Sequence, residues 1–343
     1  MNAHDQTAVV LFNLGGPGDL AAVEPFLVNL FSDREIIELP GGALMQPLMA
    51  RLIARMRGPG VRRNYEMIGG GSPQLRITES QASALEERLN VGLGGAAFRV
   101  FIAMRYTRPS SEDALEAISA AGIRRIVTLT LFPHYSRATT GSSRNEFDRA
   151  LALPRWRAQG FEVSHIDSYY DDPTYLDAMA DTVQQAWRAI PDENKARTVI
   201  LFSAHGLPQK FIDEGDPYVA HTQATRRGIL ERIALPNRHL LAYQSRTGPV
   251  KWLGPGTEEI LEELGREGVK DVLVVPLSFV SDHIETLYEV DQLFADAARD
   301  AGITGYYRPR ALNAHPLFIE ALAGQVTRHT AAGATRELTG ARA

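Results

Sequence analysis

The chain has 343 residues, 44% of them apolar and 22% charged, a length that favours two domains and a composition ordinary for a globular protein. Its net charge of −5 and pI near 6.0 argue against a nucleic-acid partner, which selects basic surfaces. The absence of cysteine excludes disulfides, thiolate metal sites and cysteine-ligated iron–sulfur clusters. Met1–Asp5 carry neither a basic n-region nor an apolar h-region, so no secretory signal is expected. No apolar run reaches membrane-spanning length, and the expected location is cytoplasmic or, at most, peripheral on the inner membrane.

In chain order, strand-like apolar runs fall at Ala8–Leu14, Phe98–Met104, Arg125–Leu131 and, more weakly, Phe161–His165. A second set falls at Thr198–Ser203, His239–Tyr243, Asp271–Leu277 and Gly305–Arg308. Amphipathic stretches lie between them at Glu79–Leu89, Ser111–Ala121, Pro173–Ala189, Thr257–Glu267 and Asp282–Arg299. This alternation predicts an α/β fold: two doubly wound Rossmann-like domains, each a parallel sheet flanked by helices, with a cleft between them. The expected extents are 6–168 and 169–312, with the boundary near Asp167–Asp172. The helix Pro316–His329, within a segment 313–330, is expected to cross back onto the first domain, and Ala331–Ala343 to fray. No internal sequence repeat is visible.

Two runs carry the chemistry: Phe202–Pro208, with its Ser203-Ala204-His205, and Ser281–Glu289, with Asp282, His283, Glu285 and Glu289. Each follows a buried parallel strand, and the tips of such strands share the side of the sheet where ligands bind. Imidazoles and carboxylates gathered there suit a metal ion, protons, or both. His205 alone is equally compatible with a structural histidine tied down by Ser203. Asp282 and Glu285 also fit a helix capping box, but that leaves His283 and Glu289 unexplained. Two carboxylates four apart on a helix repel, which makes sense where cations pass.

Asn13–Gly18 lacks the G-x-G-x-x-G spacing and reads as a structural turn lining a cleft. Gly69–Pro73 lacks the lysine of a P-loop and reads as backbone clearance for a bulky ligand, with Ser72 as a donor. In Gly42–Arg63, Met45, Leu48, Met49, Leu52, Ile53 and Met56 recur at helical spacing among Arg51, Arg55, Arg57, Arg62 and Arg63. Either the helix faces a core, or Met45–Met56 form an adaptable lip for a flat apolar ligand or a membrane surface.

These stretches, taken in order from Val10 to about Asp291, resemble the ferrochelatases, which insert Fe²⁺ into a porphyrin. The resemblance runs through Asn13–Pro17, Tyr65 with Gly69–Pro73, Arg105-Tyr106, Pro133–Ser143, Ser203–Pro208, Gly215–Tyr218, Gln244–Gly256 and Ser281–Glu289. It implies a porphyrin cleft with His205 and Glu285 facing each other across the macrocycle and serving as metal ligands. His283 and Glu289 would support them, on a helix with a π turn. It further implies porphyrin contacts at Leu14, Arg57, Tyr65, Ser72, Arg105, Tyr135, Tyr218 and Trp252. Iron is then a substrate and no cofactor is required. Arg137 stands where many relatives carry a cluster cysteine, and Leu293 where many continue the acidic ladder, with Asp291 the nearest carboxylate.

The implied reaction is Fe²⁺ insertion into protoporphyrin IX to give protohaem, a lyase reaction and the terminal step of haem biosynthesis. His205 would accept pyrrole protons and Glu285 stabilise positive charge. The alternatives weighed are a chelatase for coproporphyrin or another metal, and a non-catalytic porphyrin or haem carrier. The sequence carries no signal of oligomeric state.

Overall fold

Strands rich in β-branched residues and buried on both faces pair in parallel only where helices cover the sheet, and both halves of this chain are built that way. The computed structural model describes residues 6–93, 96–246, 248 and 250–340; Met1–Asp5 and the end of the expected tail, 341–343, lie outside the described residues. The first half runs β1 (Thr7–Asn13), α1 (Val23–Ser32), α2 (Gly42–Met67), α3 (Gln74–Asn90), β2 (Phe98–Met104) and α4 (Ser111–Ala120). It continues with β3 (Arg125–Thr130), a π turn π1 (Arg137–Gly141), α5 (Ser142–Leu151), α6 (Pro154–Arg157) and β4 (Glu162–Ile166). The second half runs α7 (Pro173–Ala189), α8 (Asp192–Lys195), β5 (Val199–His205), α9 (Gln209–Asp213), α10 (Tyr218–Ile233) and β6 (His239–Gln244). Then come α11 (Thr257–Arg266), β7 (Asp271–Pro276), a longer π helix π2 (Glu285–Leu293), α12 (Phe294–Asp300), β8 (Gly305–Tyr307) and α13 (Pro316–Gly340).

The strands form two parallel four-stranded sheets, ordered β2-β1-β3-β4 and β6-β5-β7-β8. In each, the first strand is central, the second lies on one side, and the third crosses to the other. In each, the third strand leads into a π turn, a helix and the outer strand. The halves therefore repeat one topology that the sequence does not display, because burial and connection order are what recur. The edge strand β2 is covered by side chains of α3: Asn90 bonds the Phe98 N–H and carbonyl, and Glu86 accepts from the Val100 N–H. Those bonds satisfy backbone groups that would otherwise template another strand.

The largest apolar cluster joins the sheets. It runs from Leu11 and Leu129 of the first, through Tyr175 of α7 and Phe318 and Leu322 of α13, to Phe202 and Leu273 of the second. α13 packs on both α3 and α7, bridging the two halves. It continues to Gly340, so residues 331–340 are helical where fraying was expected. The expected helix Asp282–Arg299 begins later, at Glu285, and is π-wound until Leu293.

Candidate active site

In the second sheet β5 is the switch strand between β6 and β7, and such a strand's tip opens on the ligand crevice. His205, the last residue of β5, is in register with Gln244, the last of β6. The segment after β7 brings Ser278, Ser281 and His283 beside it and then starts π2 at Glu285. The His205 imidazole donates from Nδ1 to Glu285 Oε2 at 3.1 Å. His283 Nε2 lies 3.4 Å from the same oxygen, while its Nδ1 donates to the Ser281 carbonyl at 3.0 Å. Glu289, one turn on, accepts from Ser245 Oγ at 2.6 Å and Gln244 Nε2 at 3.1 Å. Gln244 Nε2 also donates to the Glu285 carbonyl, and Gln244 Oε1 accepts from Ser203 Oγ.

Burial works against charge on His205, but the charge and hydrogen bond of Glu285 outweigh it and leave the imidazole pKa raised. Burial pushes Glu285 up, yet the charge and hydrogen bond of His205, with the bond from His283, hold it far below the usual carboxylate range. Burial and then the Glu285 charge push Glu289 up to about 7. Two carboxylates one turn apart are thus poised oppositely, the pattern that divides charge-holding from proton-carrying work. His205 keeps 31% and Glu285 19% of side-chain surface exposed, so the pair is reachable. With Nδ1 committed to Glu285, Nε2 of His205 is the nitrogen left for a substrate.

The capping reading of Asp282 and Glu285 is corrected: Ile284 precedes π2 with no side-chain cap. Asp282 accepts instead from Thr286, Asn313 and Arg308. Arg308 also pairs with Asp291, so the acidic ladder that starts at Glu285 and Glu289 does not extend to Asp291.

The first half supplies the facing wall. Ile284 packs into its cluster of Leu14, Tyr65 and Tyr106, and Tyr65, buried, has its hydroxyl pKa raised by burial and then by the Glu285 charge. The two glycine loops meet each other at Gly16 and Gly71, while Gly69 and Gly70 face open space. A β-carbon on Gly71 would fall 2.3 Å from the Gly18 carbonyl oxygen, and one on Gly16 2.5 Å from Ser72 Oγ. The Ser72 N–H donates to Pro17, and Ser72 Oγ accepts from the Gln74 N–H that opens α3.

Arg105 is engaged by Asp33 at 2.7 Å and by Ser142, and Tyr106 O–H donates to the same Asp33. Burial raises Asp33, but the Ser142 bond, the Arg105 charge and the Tyr106 bond leave its pKa lowered. Arg57 is exposed on α2, its guanidinium 5.8 Å from the Phe31 ring. On α2 the core-facing alternative fails. Gln46, Ala50, Ala54 and Gly58 form the buried face, while Leu44, Met45, Leu48 (59%), Leu52 and Met56 (73%) are exposed.

Around His205, Tyr218 O–H donates to its carbonyl at 2.9 Å, and Trp252 pairs with Pro208 and lies over Gly206. Half-buried Tyr135, in the first half, donates its N–H to His221 Nδ1 at 3.2 Å, and its hydroxyl lies beside Gly141. Ser203, expected as a tie for His205, instead bonds Gln244 and Thr257 through its hydroxyl, and Gln244, Ser245 and Ser278 were not named as site residues from sequence. They were legible only as neighbours of His205 once the order β6-β5-β7 is known. An open hollow of about 490 Å³ lined by Ala21, Glu24, Pro25, Val28, Asn29 and Arg62 contains none of these groups.

The sequence model of the ferrochelatase family matches residues 6–330. A ferrochelatase of Geotalea daltonii is 53% identical over 319 residues, 93% of this chain and 96% of that protein. One from Synechocystis is 49% identical over 322 residues, 94% and 82% of the two. Among solved structures, SirB from Bacillus subtilis with Fe³⁺ matches with a TM-score of 0.56 at 14% identity, covering 96% and 97% of the chains, a likeness of fold. Strand-tip imidazoles and carboxylates, a paired parallel-sheet frame and near full-length identity of about half agree: this chain belongs to the ferrochelatase family.

Proposed function

We propose that this ferrochelatase inserts Fe²⁺ into protoporphyrin IX, with His205, Glu285, His283 and Glu289 as the metallation centre. The observation that carries the reading is the single carboxylate oxygen of Glu285 shared between His205 and His283, 3.1 and 3.4 Å away. His205 Nε2 accepts a pyrrole proton, and the imidazolium formed is stabilised by Glu285, whose own charge persists. A raised pKa makes His205 a stronger base at the cost of a smaller neutral fraction near pH 7. Glu289, poised near neutrality, takes up or passes on a proton while Glu285 holds charge for the cation. Imidazole and carboxylate ligate Fe²⁺ weakly enough to release it to a macrocycle, so His205 and Glu285 serve as transient ligands and iron is a substrate.

Leu14, Tyr65 and Ser72 would line one face of the porphyrin, Tyr135, Tyr218 and Trp252 the other, with Arg57 and Arg105 towards the propionates. The exposed Met/Leu stripe of α2 supports protoporphyrin over the more carboxylated coproporphyrin. With exposed Arg51, Arg55, Arg57 and Arg63, it also supports peripheral contact with an anionic membrane surface. We read the domains as 6–168 with 313–330 returning to it, and 169–312. No helix among the described residues is long and apolar enough to cross a membrane.

The test is anaerobic: protein, protoporphyrin and Fe²⁺, following loss of porphyrin fluorescence against a no-protein control. His205→Ala is expected to abolish insertion while porphyrin still binds. Wild-type turnover in that variant would sink the assignment; binding without turnover in the wild type would favour a carrier, and turnover only with coproporphyrin another substrate.

A further inference from the structure

The base proposed above is held by its backbone as well as by Glu285. His205 N–H donates to Ser278 Oγ at 3.3 Å, the Ser278 hydroxyl lies 2.5 Å from Tyr218 Oη, and Tyr218 O–H donates to the His205 carbonyl at 2.9 Å. These three bonds close a ring on both sides of the His205 α-carbon. Tyr218 opens α10, and its N–H donates to Asp216 Oδ1 at 3.1 Å. The other oxygen of Asp216 crosses to the first half, accepting from Ser136 Oγ at 2.9 Å and the Arg137 N–H at 2.8 Å, where π1 begins.

We infer that Asp216 is a positioning residue for metallation, which fixes His205 against the first half of the molecule through Tyr218. The inference rests on the reading of His205 as the proton acceptor. The local sequence is built for this contact. Gly215 adopts φ +94°, a left-handed turn that glycine enters without strain, and this directs Asp216 towards π1. Arg137 adds a second tie across the same junction, pairing with Glu214 at 2.5 Å and stacking 3.7 Å over Phe211. π1 occupies in the first half the topological position that π2, the bearer of Glu285, occupies in the second. The base is therefore referenced to the π segments of both halves: to π2 through its ring and to π1 through its backbone. Porphyrin bound between the halves meets a base whose distance from either wall is set by hydrogen bonds. Misplacement of a reacting group by about 1 Å costs on the order of a hundredfold in rate.

The test compares Asp216→Ala, Asp216→Asn and Tyr218→Phe with wild type in the anaerobic protoporphyrin–Fe²⁺ assay. Folding is checked by circular dichroism and porphyrin affinity by fluorescence titration. Asp216→Ala is expected to lower kcat about ten- to a hundredfold while porphyrin KM stays within about twofold. Asp216→Asn, which keeps an acceptor oxygen, should recover part of that loss; a merely structural turn would move stability without this split. Wild-type kcat in folded Asp216→Ala, or a loss confined to KM, overturns the inference. If that variant does not fold, Tyr218→Phe decides: a lowered kcat with porphyrin KM within about twofold supports the relay, and an unchanged kcat or a loss confined to KM overturns it. His205→Ala run alongside separates the two levels. If it still turns over, the parent reading fails, whereas an inert His205→Ala beside an unaffected Asp216→Ala overturns the positioning role alone.

Discussion

At the residue scale, the opposite poise of Glu285 and Glu289 follows from what each one faces. Glu285 meets two imidazoles; Glu289 meets Glu285 and two neutral donors, Ser245 and Gln244. Raising a carboxyl from 4.5 to about 7 makes folding less favourable wherever the unfolded chain is ionised and the native one is not. That cost is absent below about pH 4, grows as pH rises through the window from 4.5 to about 7, and is constant above it. Glu289→Gln removes it, so the variant should match wild type near pH 4 and exceed it by up to about 3 kcal/mol near pH 8. Urea denaturation at both pH values checks this; equal stability near pH 8 would mean Glu289 is ionised without penalty. That His205, His283 and Glu285 meet was legible from sequence because both runs follow buried parallel strands, whose tips share one side of the sheet. Gln244 was not, since its function arises from register with His205 on a neighbouring strand.

At the element scale, α2 shows where helical periodicity misleads. The Met/Leu stripe correctly marks a helix, but small residues let α1 approach closely, so the buried face is Gln46, Ala50, Ala54 and Gly58. Buried Gln46 bonds the Phe31 and Ile37 carbonyls and the Leu39 N–H, a role no hydrophobicity pattern encodes. Ala54→Leu should therefore cost about 1–3 kcal/mol by overpacking. Leu52→Ser should change stability by less than about 0.5 kcal/mol yet weaken porphyrin binding. Urea melts and fluorescence titrations report the two effects separately, and a Leu52→Ser variant as destabilised as Ala54→Leu would restore the core-facing reading. The π winding after Ile284 likewise exceeds what spacing reveals; the resemblance to ferrochelatases implied it, and the structure places Glu285 at its start.

At the scale of the whole molecule, the two sheets share one apolar cluster, bridged by α7 and α13. Removing Leu322, fully buried in α13, should cost about 2–5 kcal/mol as Leu322→Ala and lower a single cooperative transition. Scanning calorimetry that resolved two separate transitions would contradict this account of a shared core. The same bridge holds the facing walls of the cleft, so packing far from His205 fixes the geometry at the site.

The sequence by itself determined the strands, the two parallel sheets, the family and the four ionisable groups. Buried parallel strands are continuous apolar runs, and their tips are where ionisable side chains can reach a ligand crevice. Only the tertiary structure decided which face of α2 is exposed, that the glycine loops interlock with each other, that Arg308 claims Asp291, and that Asp216 reaches across to π1. Each of those depends on residues distant in sequence meeting at a few ångströms, and no local pattern records a distance.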